Sequence, residues 1–178
     1  MALVQVDKAT VSSTDTPVDS LIVEGINSDD VYVVVGSGIH TSVDTGYLYV
    51  RVTKDVAGTT TPQSASSYGF ATTEYKATGS FSAHSFDTGR SNMYFGNSPL
   101  GNATGENSNI YYTLYNFNSS SEYSYMTVSE NVFNSTSSSS HGSQGGFVYR
   151  VNETNNGFAV IGDSQKINSG SLVLYKVV

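Results

Sequence analysis

The tripeptide Asp-Thr-Gly occurs twice, at Asp44-Thr45-Gly46 and Asp87-Thr88-Gly89. In aspartic proteases such a pair meets face to face, so that two carboxylates share one proton and activate a water. The copies here stand too close in sequence to serve two lobes, and neither is followed by the small residue and later apolar-apolar-Gly of that family. Asp and Gly between strands are ordinary turn chemistry, and both tripeptides are expected in turns. The three histidines, His40, His84 and His141, could each supply a base or a metal ligand. None belongs to a His-x-His or His-Glu-x-x-His pattern, and no Gly-x-Ser-x-Gly accompanies them. His141 falls in a serine-rich tract, where nothing local would fix its ring. Asn27, Asp29 and Asp30 offer oxygen ligands but not the alternating loop with a terminal Glu that holds calcium. Gly36-Ser37-Gly38 lacks the Lys-Ser/Thr of a phosphate loop. Asn-x-Ser/Thr sequons at Asn102, Asn118, Asn134 and Asn152 follow from composition. No catalytic residue, cofactor site or metal site is assigned, and the chain is expected not to be an enzyme.

The elements that would position any site are strands. Tyr47 to Thr53 alternates strictly, with Leu48, Val50 and Val52 on one face and Tyr47, Tyr49 and Arg51 on the other. The same period recurs at Met126 and Val128, at Phe147, Tyr149 and Val151, and at Leu172 and Leu174. Val31 to Val35 is continuously apolar and suits a central strand covered on both sides. Further strands are expected at Leu3–Val6, Val18–Ile26, Gly69–Ala77, Met93–Phe95, Ile110–Phe117 and Phe158–Ile161. Turns are expected at Asn27–Asp30, Gly36–Gly38, Asp44–Gly46, Asp87–Gly89, Asn155–Gly157 and Asn168–Gly170, with a single helical turn allowed at Pro62–Ser67. No segment has the spacing and caps of a long helix. The pattern predicts an all-β chain, an antiparallel β-sandwich of jelly-roll type with about ten short strands. One domain is expected over 1–178, with 1–16 as an N-terminal arm or edge strand, first and last strands paired, and 135–146 as a flexible Ser/Gly loop.

The 178 residues contain 13 % charged side chains, and hydroxyl, amide, Gly and Tyr residues fill the gap. Fifteen acids against eight bases give a net charge of −7, with each Lys and Arg standing alone. Phosphate binding needs clustered cations, so nucleic acid is not an expected partner. Absence of Cys excludes disulfides, thiolate nucleophiles and thiolate zinc sites. No run approaches the ~18 apolar residues of a membrane span, and the first residues do not read as a signal peptide, so the expectation is a protein made and kept in a cytosol.

The aromatic residues are the more informative. Tyr47, Tyr49, Tyr75, Tyr111, Tyr115 and Tyr125 fall on faces opposite the aliphatic ones, or ambiguous to them. Tyr gives large contact area at small entropic cost and is enriched at interfaces and sugar-stacking sites. Contact residues are therefore expected among Tyr47, Tyr49, Tyr75, Tyr111 and Tyr115, and in the N-terminal residues Ala2, Leu3 and Val4. Long strands with few Lys and three Pro also leave sheet edges open to a partner.

The opening Met-Ala-Leu-Val-Gln-Val-Asp-Lys, the segments Gly25–Val34, Leu114–Ser124 and Ser143–Val148, and the ending Ile167–Val177 resemble small β-sandwich virion proteins of tailed phages, those of marine bacteria and cyanobacteria in particular. The resemblance implies a non-enzymatic particle component made in the cytoplasm of a bacterial host. The expected role is a capsid decoration (cement) protein that forms a homotrimer and binds the major capsid protein. The alternative is a tail component, either a fibre or baseplate adhesin or a carbohydrate-binding module that contacts host-surface glycans.

Overall fold

The computed structural model describes residues 2–94 and 99–178, with the side chains of residues 86–88 left aside. Among the described residues thirteen strands carry the fold: β1 Leu3–Val11, β2 Ser20–Glu24, β3 Tyr32–Thr41, β4 Tyr47–Val56, β5 Thr59–Pro62, β6 Tyr68–Lys76, β7 Phe81–Arg90, β8 Met93–Tyr94, β9 Ser108–Tyr115, β10 Ser124–Asn134, β11 Ser139–Tyr149, β12 Gly157–Asp163 and β13 Ile167–Val177. All pairings between these strands are antiparallel. Eight strands form one sheet in the order β1-β13-β3-β9-β10-β11-β6-β7; β2-β12-β4-β5 form the second, with β8 beside β4. Among the described residues no helix is long and apolar enough to cross a membrane, and 63–67, after Pro62, is irregular.

Alternation decides which face of each strand turns inward. On β4, Leu48, Val50 and Val52 are fully buried; on β9, Ile110, Tyr112 and Leu114 are buried while Tyr111 and Tyr115 face out. β3 lies inside the large sheet between β13 and β9, and its neighbours Val33 and Val34, on opposite faces, are 3 % and 0 % exposed. The chain ends meet as expected. β1 pairs with β13 at the sheet edge, and Ala2 and Val178 exchange both backbone hydrogen bonds. Met1 and Phe95, both drawn into the sequence expectations, lie outside the described residues.

Two groups of sequence expectations are corrected. Gly36–Gly38, Asp87–Gly89 and Asn168–Gly170 are not connections between strands; they lie within β3, β7 and β13. Gly38 and Gly170 have φ of +61° and +136° where the β3–β13 register slips, and a Cβ on Gly170 would stand 2.8 Å from the Ile39 Cα. Positive φ marks a bulge as readily as a turn, which is why these glycines read as linkers. The Ser/Gly tract is also not a flexible loop. Only 135–138 forms a turn, closed by the Ser137 amide donating to Asn134 Oδ1 at 2.9 Å, and from Ser139 the chain runs as β11 through eleven paired residues with β10. Serine and glycine carry no apolar signal, but the ladder on both sides supplies the order.

Aromatic residues join the two sheets. The Tyr112 ring stands edge-on to Phe158 of β12 at 5.2 Å and to Phe147 of β11 at 5.8 Å. The Tyr68 hydroxyl on β6 accepts from the Val52 amide on β4 and donates to the Gln63 carbonyl, at 3.2 and 2.8 Å. Burial pushes the Tyr68 and Tyr112 hydroxyls far above the ordinary phenol range. An unfolded Tyr ionises near pH ~10. These two groups therefore stay protonated in the native state where the unfolded chain loses its protons. Their contribution is complete below pH ~10 and declines above it by about 1.4 kcal/mol per pH unit for each group. The urea midpoint is expected to be level from pH 8 to 9.5 and to fall steeply by pH 11. A midpoint flat to pH 11 would contradict this burial.

Candidate binding surface

The outward face of the eight-stranded sheet gathers the tyrosines. Tyr111 and Tyr115 on β9, Tyr125 on β10 and Tyr75 on β6 are 49 %, 37 %, 47 % and 52 % exposed. Tyr115 and Tyr125 stand directly opposite in the ladder, and Val148 of β11 and Gly69 of β6 continue the row. The next row runs Thr113, Thr127, Gly146, Ala71, Ser85, so side-chain size falls from β9 toward β6. The result is a shallow groove of about 610 Å³, its floor made of Gly69, Ala71 and Gly146, flanked by Tyr115, Tyr125 and Val148, with Arg150 and Ser85 at its margins. Tyr75 belongs to the same face but at the far end of β6, against the exposed Phe81.

Tyr47 and Tyr49, expected among the contact residues, are elsewhere. They line a more polar cleft of about 650 Å³ at the sandwich edge, with Tyr94, His84, Arg90 and Asp163. Tyr49 packs edge-on against Tyr94 at 5.1 Å. Burial and the Asp163 carboxylate, which accepts from it, hold its hydroxyl well above the phenol range. The Arg90 guanidinium lies 5.9 Å from the Tyr94 ring centre. Ala2, Leu3 and Val4 are exposed along β1, at a third location. The eight contact residues expected from sequence therefore divide among the outward sheet face, an edge cleft that adjoins the groove and shares Phe70 and Ser85 with it, and the β1 edge.

The histidines are placed as follows. His40 is half-buried and its imidazole is shifted toward the neutral form by desolvation, opposed by Glu106. His141, expected to be loosely held, is fixed: its ring is 3 % exposed, Nδ1 meets Glu74 Oε1 at 2.9 Å, and Nε2 meets the Ser137 and Ser139 hydroxyls at 3.1 Å each. Lys76 Nζ and His84 Nε2 approach Glu74 Oε2 at 3.4 and 3.6 Å. A second buried acid, Glu130 on β10, accepts hydrogen bonds from Tyr112 and, at 2.6 Å, from Ser143. Glu130, Ser143 and Glu74 are ladder partners across β10, β11 and β6, so the two acids stand about 10 Å apart at the backbone. Both carboxylates are committed to internal hydrogen bonds. Asp44 is exposed in the β3–β4 turn, and the Asp87 side chain lies outside the described residues. Among the described residues no group of three His, Cys, Asp or Glu side chains is arranged to hold a metal ion.

The groove floor and the buried acids escape sequence reading. The one available signal is Gly145-Gly146 inside an alternating segment, since glycine in a strand marks a bulge or a close approach. No family model matches the chain, and neither the curated proteins nor the solved structures contain a significant match.

Proposed function

We propose that this chain is a non-enzymatic structural protein of a tailed-phage particle, a decoration protein that docks on the assembled shell as a homotrimer and bridges neighbouring capsid subunits. The supporting observation is the state of β1. Among the described residues its single strand neighbour is β13, and along it Leu3, Val4 and Val6 are 49 %, 53 % and 37 % exposed. Proteins that act alone blunt such an edge with charge, proline or a covering loop. Here Asp7 is drawn back to the Glu24 amide at 2.9 Å, leaving Lys8 as the other ionic residue of the strand. An edge of this kind offers backbone pairing and apolar contact to another protein surface. A domain that binds only the assembled lattice stabilises it by mass action, without chemistry.

The test combines mass and location. The purified chain is expected to sediment as a trimer and to raise the melting temperature of expanded shells that lack it. The double variant Leu3→Glu, Val4→Lys should stay folded and lose shell binding by at least tenfold. Hundreds of copies on the shell in images of whole particles agree with the proposal. A few copies at the tail tip would replace it with the adhesin alternative.

A further inference from the structure

We propose that the outward face of the eight-stranded sheet is a contact between two copies of this chain, packed face to face about a two-fold axis parallel to the strands. The proposal goes beyond the shell-docking role, which rests on the β1 edge, and does not depend on it. Two rows of residues cross this face from β1 to β7 without a break. One runs from Gln5 to Ser85 through Val33 and Gly146, the other from Lys8 to Ala83 through Val35 and Gln144. All sixteen residues are described, and the one charged side chain among them is Lys8 at the β1 margin. On an ordinary surface about a quarter to a third of positions are charged, so roughly four or five would be expected here. The buried acids of β6 and β10, Glu74 and Glu130, turn into the sandwich. That distribution selects the partner. Each copy carries −7, so two copies repel wherever their acids meet and can approach through a face that has none. A different protein would be steered by complementary charge, which these rows do not offer.

Side-chain size is the second observation. On the β1 half of the two rows stand Tyr175, Val33, Val35 and Tyr111; on the β7 half stand Gly146, Ala71, Ser85 and Ala83. The midline of the sheet falls between β9 and β10. A half-turn about an axis along that midline keeps every row in register and exchanges the halves. Val33 then meets Gly146 of the second copy, Tyr175 meets its Ala71, and the same contacts recur in reverse. Large meets small on both sides of the axis, which is the self-complementarity a two-fold contact requires. Gly146 lies in extended backbone with no positive φ to call for glycine, and the groove of about 610 Å³ above it is the recess this packing fills. The facing strands run within about 30° of each other, the aligned mode of sheet packing. Eight strands about 4.8 Å apart and four rows about 6.8 Å apart span roughly 700 Å². Two copies therefore bury roughly 1,400 Å², the size of a stable specific interface.

The experiment uses the purified chain. Sedimentation over rising concentration is expected to show the mass doubling, from three chains to six where the docking trimer forms and from one to two where it does not. A trimer that never doubles overturns this contact alone, and a single chain that doubles overturns the trimer alone. Thr127→Glu places a carboxylate at an exposed position beside the axis, against its own copy. It should weaken the doubling at least tenfold and leave the melting temperature of the dilute protein unchanged. The chain has no Cys, so single thiols report position. Val35→Cys and Gln144→Cys, co-expressed and treated with a short bismaleimide, should give a covalent dimer. Either variant alone should give at least tenfold less, because its two thiols stand about 14 Å or more apart across the paired faces. The proposal is overturned if the mass does not double or if Thr127→Glu associates as well as the parent. It is also overturned if Val35→Cys alone crosslinks as well as the co-expressed pair, since the halves of the face would then not exchange.

Discussion

Glu74→Ala is expected to cost about 3–5 kcal/mol of folding stability, far more than an exposed ion pair is worth. Glu74 is 2 % exposed, and its carboxylate gathers His141, Lys76 and His84 from β11, its own strand and β7. Removing it leaves the His141 Nδ1 without its Glu74 acceptor inside the sandwich and takes the ion-pair partner from the partly exposed Lys76. Burying an unmatched polar group is costlier than deleting a matched pair. Glu74→Gln retains an acceptor at nearly the same position and should cost less than half as much. Because His141 Nε2 also holds Ser137 and Ser139, the β10–β11 turn should loosen together with the cluster. Faster hydrogen exchange at the Ser137 to Ser139 amides in Glu74→Ala would report this. Urea denaturation measures the main effect, and a loss under 1 kcal/mol would mean that the cluster behaves as a solvated surface group.

That cluster also shows where sequence reasoning stops. The period of two at Tyr47 to Val52, the apolar run at Val31 to Val35 and the apolar ends of the chain lead directly to β4, to an interior β3 and to the β1–β13 pair. Each is a local pattern whose meaning depends only on the alternation of a strand. Ser139 to Gly146 has the same alternation, with His141 and Ser143 inward and Gly142 and Gln144 outward, but it is written in polar residues. Its interior partners, Glu74 and Glu130, lie 67 and 13 residues away from His141 and Ser143, and only the strand register brings them together. The glycines at 38, 89 and 170 fail for a related reason. Their positive φ is a local property, while the choice between a turn and a bulge depends on whether the next segment continues along the same neighbour. The candidate surface is legible in part. Outward tyrosines follow from alternation, but sequence could not tell that Tyr115 and Tyr125 share a row while Tyr47 and Tyr49 belong to another cleft.

Gly145→Ala and Gly146→Ala are expected to differ by about 3 kcal/mol although the two residues are adjacent. Gly145 faces inward between Ser143 and Phe147, where β6 passes close. A Cβ on it would collide with the Ala71 carbonyl oxygen and stand 2.6 Å from the Thr72 Cα and 2.9 Å from the Thr72 Cγ2. Two of these three obstacles are backbone, so relief requires β6 and β11 to separate. Overpacking of that kind costs typically 1–3 kcal/mol, and a forced rupture of the ladder more. Gly146 faces outward with 3.6 Å to its nearest obstacle, and alanine there restricts the unfolded chain without straining the folded one, for a gain of up to about 1 kcal/mol. The pair therefore separates the two uses of glycine in this sheet: at 145 it permits close approach of strands, and at 146 it keeps the groove floor bare. Parallel urea titrations measure the difference. Equal stabilities would mean that β6 yields to a Cβ at 145, and the tight β6–β11 contact would no longer explain the conformation of this edge of the sheet.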